Sequence, residues 1–215
     1  MKSSLMRYFL ALTVFFGMVS SASALTAEEY IVLNPPRPTD SPGKVEVIEF
    51  FWYGCPHCYR FDPYVAAWLK TKPDNVVFKR QPVIFGKRWA PHARAYFAAE
   101  VLGVVDKIHK DFFDAMHVKK KPLNTEEELA DFFAAHGVDK ETFKKAYNSF
   151  AVDMKMRQAN EIAGSYGIDG VPAIAVNGKY KVTGTTAKNY DNMINVMQQL
   201  AEKELKALQA SSGAQ

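Results

Sequence analysis

The chain has 215 residues, with 27 lysines and arginines against 23 aspartates and glutamates, a formal charge of +4. So small an excess excludes an argument from charge alone for nucleic acid or anionic membrane as a partner. With 48% hydrophobic and 13% aromatic residues there is material for an ordinary core, so the two cysteines are not needed as the staples that small secreted domains use.

Residues 1–24 contain Lys2 and Arg7 but no acid, an apolar run from Tyr8 to Val19, and then Ala22-Ser23-Ala24, the small-x-small pattern of a secretory cleavage site. A signal peptide over 1–24, cut after Ala24, is expected, with a soluble mature protein. The apolar run is short of the roughly 20 residues needed to span a bilayer.

A first strand is expected near Tyr30–Leu33. Val45 to Phe51 is β-branched and aromatic, nearly continuous in apolar character, and reads as a central strand buried on both faces. Gly54 ends the run. A helix is predicted from Cys55 with Pro56 in its first turn, where a missing N–H costs nothing, and with a kink at Pro63. Asn75 to Val83 reads as the next strand, which completes a βαβ unit with a parallel crossover.

Helical spacing then dominates. Helices are predicted over Trp89–Leu102, Val104–Met116, Thr125–His136 and Lys140–Tyr166, with breaks at Gly103, Pro122, Gly137 and near Ser149 or Phe150. Thr125-Glu126-Glu127-Glu128 supplies a capping box for the third. Lys119-Lys120-Lys121 reads as a solvated loop before Pro122. Strand character returns at Pro172–Val176 and Lys179–Val182, and Asn177-Gly178 between them signals an antiparallel hairpin because both residues accept positive φ. Ala187–Leu208 reads as an amphipathic helix with Tyr190, Ile194, Met197 and Leu200 or Ala201 on one stripe, and Gln209–Gln215 as a frayed tail. This order predicts an α/β protein, a thioredoxin-like fold with an inserted all-helical domain. The thioredoxin-like part would comprise 25–85 and 160–215, and the insert 86–159.

Cys55-Pro56-His57-Cys58 holds both cysteines of the chain. A C-x-x-C pair at the start of a helix can close a small disulfide ring, the first sulfur near the exposed helix end and the second one turn further in. A loop over two intervening residues removes little entropy from the unfolded chain, so the pair reads as reactive, with Cys55 attacking and Cys58 resolving. Helix N–H groups, the positive end of the helix dipole and His57 can all stabilise a thiolate at Cys55. Zinc is the rival reading of C-x-x-C, but it needs two further ligands and no second cysteine pair exists. His92, His109, His117 and His136 read as surface or cap residues, so no metal site and no cofactor is expected.

Val47-Ile48-Glu49-Phe50-Phe51, Cys55-Pro56-His57-Cys58-Tyr59, Gly170-Val171-Pro172-Ala173 and Val176-Asn177-Gly178-Lys179-Tyr180 together resemble the DsbA family of periplasmic thiol:disulfide oxidoreductases. The likeness runs through the element order of the whole mature chain, and the Pro56-His57 dipeptide is its specific part. Gly54 departs from family members that carry an aromatic there. The resemblance implies a strongly acidified Cys55, a cis Val171–Pro172 bond opposite the site, and main-chain pairing of Val171 with an extended substrate. It also implies that Glu49 lies beneath the sulfurs, where it relays protons or tunes the thiolate; Lys79 or Arg80 can pair with it, and Arg80 is the better match. The implied activity is a dithiol oxidase that acts on unfolded or partly folded exported proteins with free cysteines. The implied reoxidant is a quinone-linked inner-membrane partner like DsbB. The chain would be a periplasmic monomer without nucleic acid. The competing readings are a disulfide isomerase or reductase of the same fold, and a non-enzymatic Cu(I)-binding or chaperone module.

Overall fold

The computed structural model describes residues 25–212; the signal peptide expected over 1–24 lies outside them. Five strands form one sheet in the order β1-β5-β4-β2-β3. They are β1 (Ile31–Val32), β2 (Val45–Phe51), β3 (Val76–Pro82), β4 (Ala173–Val176) and β5 (Tyr180–Thr183). β2 and β3 are parallel, joined through α1 (Pro56–Leu69), as the βαβ reading requires. β4 runs antiparallel to β2, with Glu49 opposite Ile174, and β5 and β1 extend that side antiparallel. Between β3 and β4 lies the helical insert: α2 (Ala90–Val101), α3 (Val105–His117), α4 (Glu126–Ala135), α5 (Lys140–Tyr147) and α6 (Phe150–Ser165).

Every residue of β2 is buried, so the strand is the centre of the molecule. Because side chains alternate along a strand, Val45, Val47 and Glu49 face one side of the sheet and Glu46, Ile48 and Phe50 the other. Val45 and Val47 pack with Phe61, Val65 and Trp68 of α1 and with Met193, Val196, Met197 and Leu200 of α8 (Tyr190–Ser212). Each such α8 side chain contributes about 1.5–3 kcal/mol by leaving water. On the opposite face Ile48 and Phe50 pack with Ala163, Tyr166 and Ile168 from the end of α6 and beyond. The insert has its own aromatic core, and Phe51, Tyr53, Cys55 and Cys58 belong to that cluster, so the reactive turn sits where the two parts of the fold meet.

The local signals fare well. Thr125 and Glu128 close the capping box of α4, and Ser149 caps α6 and separates it from α5. Asn177 and Gly178 take positive φ at the β4–β5 turn. The helix reading over Lys140–Tyr166 resolves into two helices at that predicted break, and α1 continues through Pro63 as one element. Two expectations are corrected. A short helix α7 (Gly184–Ala187) precedes α8, closed by a reciprocal Thr183–Thr186 cap, and α8 starts at Tyr190. Of the tail 209–215, expected to fray, residues 209–212 continue α8, with Ser211 capping back onto the carbonyl of Leu208, and 213–215 lie outside the described residues.

Gly178 binds the hairpin to the segment after β1. Its carbonyl accepts from Arg37 N–H at 2.7 Å, its φ is +66°, and a Cβ there would lie 2.0 Å from the Arg37 carbonyl oxygen. Both the left-handed backbone and the clash oppose a side chain. Gly178→Ala is expected to lower stability by about 2–4 kcal/mol in urea unfolding; an unchanged midpoint would contradict this packing.

Candidate active site

The turn after β2 delivers the cysteine pair to the first turn of α1. Cys55 N–H donates to the Trp52 carbonyl at 3.0 Å, and Cys55 takes the extended backbone of an N-cap with φ −84° and ψ 117°. Pro56 follows as the first helical residue, where its fixed φ suits the helix. The Cys58 N–H then points at Cys55 Sγ, 3.4 Å away, so sulfur fills the role that an oxygen plays in an ordinary N-cap. Both cysteines are free thiols here.

Cys55 was expected to be exposed; it is only 6% exposed, against 0% for Cys58. The cause is the loop before β4. Val171–Pro172 is a cis bond, as the motif implied, and the Val171 carbonyl lies against Cys55 Sγ at 3.4 Å. Asn34–Pro35, which no sequence signal marked, is cis as well.

The two thiols sit in opposed environments. The Cys55 thiol is brought down to about 6, first by hydrogen bonding from the Cys58 thiol, then by the backbone N–H groups of Cys58 and His57 and by the charge of His57, against the cost of burial. Cys58 is pushed well above its ordinary value, chiefly by burial, then by Cys55 and the Glu49 carboxylate. His57 was the principal candidate for acidifying Cys55. Its ring charge is the smallest of the named causes, and its backbone amide does more.

Glu49 is 1% exposed. It pairs with Arg80, whose Nε lies 3.2 Å from Glu49 Oε2, whereas Lys79 pairs with Glu46 at 2.6 Å, which settles the choice between the two cations. Burial raises the Glu49 carboxyl to about 7, partly opposed by Arg80. Sequence reading missed the rest of this group. Asp62 of α1 approaches Arg80 Nη2 at 3.7 Å, and His109 of α3 approaches the same Asp62 oxygen at 3.2 Å. His109 Nδ1 in turn lies 2.9 Å from the Tyr53 hydroxyl. His109 was read as a surface or cap residue; it is 6% exposed, and burial lowers it to about 4. The signal was present in the spacing. Asp62 follows Cys58 by one turn on the buried face, and His109 precedes Phe112 and Phe113 on theirs.

His92 corrects the same expectation, being 2% exposed. Trp52 Nε1–H donates to its Nδ1 at 2.9 Å, its Nε2–H donates to the Pro122 carbonyl at 3.0 Å, and the Trp52 ring stacks on Trp89 at 4.0 Å. So held, the Trp52 indole occupies the space beside Gly54, where a Cβ would lie 2.2 Å from Trp52 Cζ2. A side chain at position 54 would therefore collide with the indole at 52. His117 donates to the Tyr53 carbonyl at 2.8 Å, and His136 sits at the C-cap of α4 as expected. Among the described residues no group of three His, Cys, Asp or Glu is gathered for a metal ion.

His57 is exposed on the first turn of α1, with Nδ1 turned to Arg60 and Tyr190. With Val171, Pro172 and Tyr190 it lines a cleft of about 910 Å³ beside Cys55. A low-pKa sulfur capping a helix, a high-pKa sulfur one turn below and a cis-proline loop over them define a thiol:disulfide oxidoreductase of thioredoxin-like fold.

Comparison with known proteins narrows this class. The family profile described as DSBA-like thioredoxin domain matches residues 89–198. The chain is 42% identical to the thiol:disulfide interchange protein DsbA of Pseudomonas aeruginosa over 95% of its own length and 97% of the relative's. It is 40% identical to that of Azotobacter vinelandii over 96% and 100%. The crystal structure of Pseudomonas aeruginosa DsbA matches with a TM-score of 0.82 at 41% identity, covering 88% of this chain and 98% of that one. The chain belongs to the DsbA family.

The raised Glu49 carboxyl gives a signed pH dependence. A carboxyl whose folded pKa lies above its unfolded value contributes stability that is complete below about 4.5 and is lost as pH rises through about 7. Replacing Glu49 by Gln removes that loss, so reduced Glu49→Gln is expected to gain about 3 kcal/mol on the wild type between pH 4 and pH 8 in urea unfolding. A constant difference would contradict the assignment.

Proposed function

We propose that this chain is a periplasmic dithiol oxidase that donates the Cys55–Cys58 disulfide to newly exported proteins. The observation that carries the reading is the opposed pair of thiol environments at the start of α1, Cys55 lowered to about 6 and Cys58 raised. A cysteine pair whose reduced form is stabilised as a thiolate gives its disulfide away.

In the forward reaction a substrate thiolate attacks Cys55 Sγ. The Cys55–Cys58 bond breaks, and its electron pair leaves on Cys58. Cys58 holds a proton at neutral pH, and Glu49, whose carboxyl is raised to about 7 and so is partly protonated there, is the proposed donor. A second substrate thiolate then attacks the substrate sulfur of the mixed disulfide and expels Cys55 as a stable thiolate. The substrate has lost two electrons and two protons; the enzyme holds both electrons. Pro56 starts the helix that stabilises the leaving thiolate. Val171, whose carbonyl meets Cys55 in the reduced protein, and Pro172 form the edge on which an extended substrate backbone would pair. The leader read over 1–24, with cleavage after Ala24, supports export to the periplasm. Reoxidation requires an electron acceptor, for which we propose a quinone-linked inner-membrane partner like DsbB.

The thermodynamic direction is signed. A depressed thiol pKa contributes stability to the reduced fold that is complete above about 9 and is lost as pH falls through about 6. At pH 7 about 1.4 kcal/mol remains, or roughly 30 mV for a two-electron couple. The reduced protein is therefore expected to melt a few degrees above the oxidised protein at pH 7, with the gap closing toward pH 5. An oxidised form that melts clearly higher would favour a reductase.

The roles of the two sulfurs are separable by trapping. Cys58→Ser should accumulate mixed disulfides with exported proteins through Cys55, and Cys55→Ser should accumulate none. Adducts on Cys55→Ser alone would reverse the assignment.

A further inference from the structure

The ring of His57 is held from two sides. Arg60, one turn further along α1, places Nη2 3.0 Å from His57 Nδ1. Tyr190, at the start of α8, places its hydroxyl 3.1 Å from the same nitrogen. Tyr190 is itself fixed, its ring centroid 5.6 Å from that of Phe61 and 5.7 Å from that of Tyr64. A guanidinium carries donors only. Nδ1 is therefore the accepting nitrogen, and the proton of the ring lies on Nε2. Nδ1 has a single lone pair, which the tyrosine hydroxyl, able to donate or accept, shares with Arg60 as a second donor.

We propose that Arg60 and Tyr190 are positioning residues that pin His57 as its Nε2–H tautomer beside the active-site sulfurs. A proton moved from Nε2 to Nδ1 would end the acceptance from Arg60 and turn two N–H donors toward each other at 3.0 Å, so the contact selects the Nε2–H form of the neutral ring. Arg60 adds a guanidinium cation beside His57 at the first turn of α1. The other charged groups that line the same cleft are Asp169, Lys181, Lys188 and Asp191, and Lys181 is occupied by the Gly167 carbonyl at 2.6 Å. The clamp also ties the start of α1 to the start of α8 across the cleft. A substrate entering there meets an imidazole of fixed orientation with Nε2–H as its donor. This consequence rests on the oxidase reading; the pinning itself does not.

The pinning can be read directly from two-bond 1H–15N correlation spectra of the reduced protein labelled with 15N-histidine, which report the protonation of each ring nitrogen. The neutral ring of wild-type His57 is expected to carry its proton on Nε2 and none on Nδ1. Arg60→Met combined with Tyr190→Phe keeps the alkyl stem and the aromatic ring but deletes both donors. In that double variant the signature is expected to collapse to a tautomer average, and Arg60→Gln alone, whose amide still donates, is expected to retain it. A neutral wild-type ring with its proton on Nδ1, or a double variant with the wild-type signature, would overturn the proposal. Equilibration of the wild-type sample with glutathione keeps the two readings apart: an oxidising pair with an averaged His57 tautomer rejects the clamp alone, and a reducing pair with a pinned His57 rejects the oxidase reading alone.

Discussion

A sulfur in the N-cap position of α1 is the interaction from which the chemistry of this molecule follows. The first turn of any helix leaves backbone N–H groups without partners, and a side-chain acceptor at the cap normally satisfies one of them. Here the acceptor is Cys55 Sγ, and it is a far better acceptor as a thiolate than as a thiol. The helix therefore needs the anion, and the anion needs the helix. Cys58 is in the same turn, so its own thiol adds the largest single contribution to the acidity of Cys55 while burial keeps that thiol protonated.

The remainder of the fold keeps this arrangement in place. β2 is buried along its whole length and brings the turn to the junction of the sheet and the insert, and the cis Val171–Pro172 bond closes over Cys55 from the β4 side. Arg80 serves two buried carboxylates, Glu49 and Asp62, and the charge of Glu49 reaches Cys58. One cation between two acids leaves an excess of negative charge in a region that excludes water. Burial raises the affinity of Glu49 for a proton, and the nearby Asp62 adds to it against the pull of Arg80. Removing a single member of such a group typically costs about 3–5 kcal/mol, because its partner is left buried and unpaired. The network therefore holds the junction together, and proton donation is the further role proposed for its Glu49.

What was legible in the sequence was local. The apolar run of β2, the Asn177-Gly178 turn, the Thr125–Glu128 capping box and the cysteine pair before a helix each have their physical cause within a few residues, and each appears where it was expected. The errors came from contacts distant in sequence. His92 and His109 look like polar residues of surface helices, yet one is buried by Trp52 and Pro122 and the other by Tyr53 and Asp62. Cys55 was read as exposed because a helix end normally is, and the covering carbonyl comes from Val171, 116 residues away. Gly54 looked like a lost aromatic until the indole of Trp52 was found in its place.

The most direct test of the account is the titration of Cys55 in the reduced protein, followed by thiolate absorbance, in the wild type and in Cys58→Ala. If the N-cap sulfur is stabilised as an anion by the first-turn amides and above all by the Cys58 thiol, the wild-type midpoint lies near 6. In that case the substitution moves it upward toward the ordinary thiol range. A wild-type midpoint near 9, or one that Cys58→Ala leaves unchanged, would contradict the central claim.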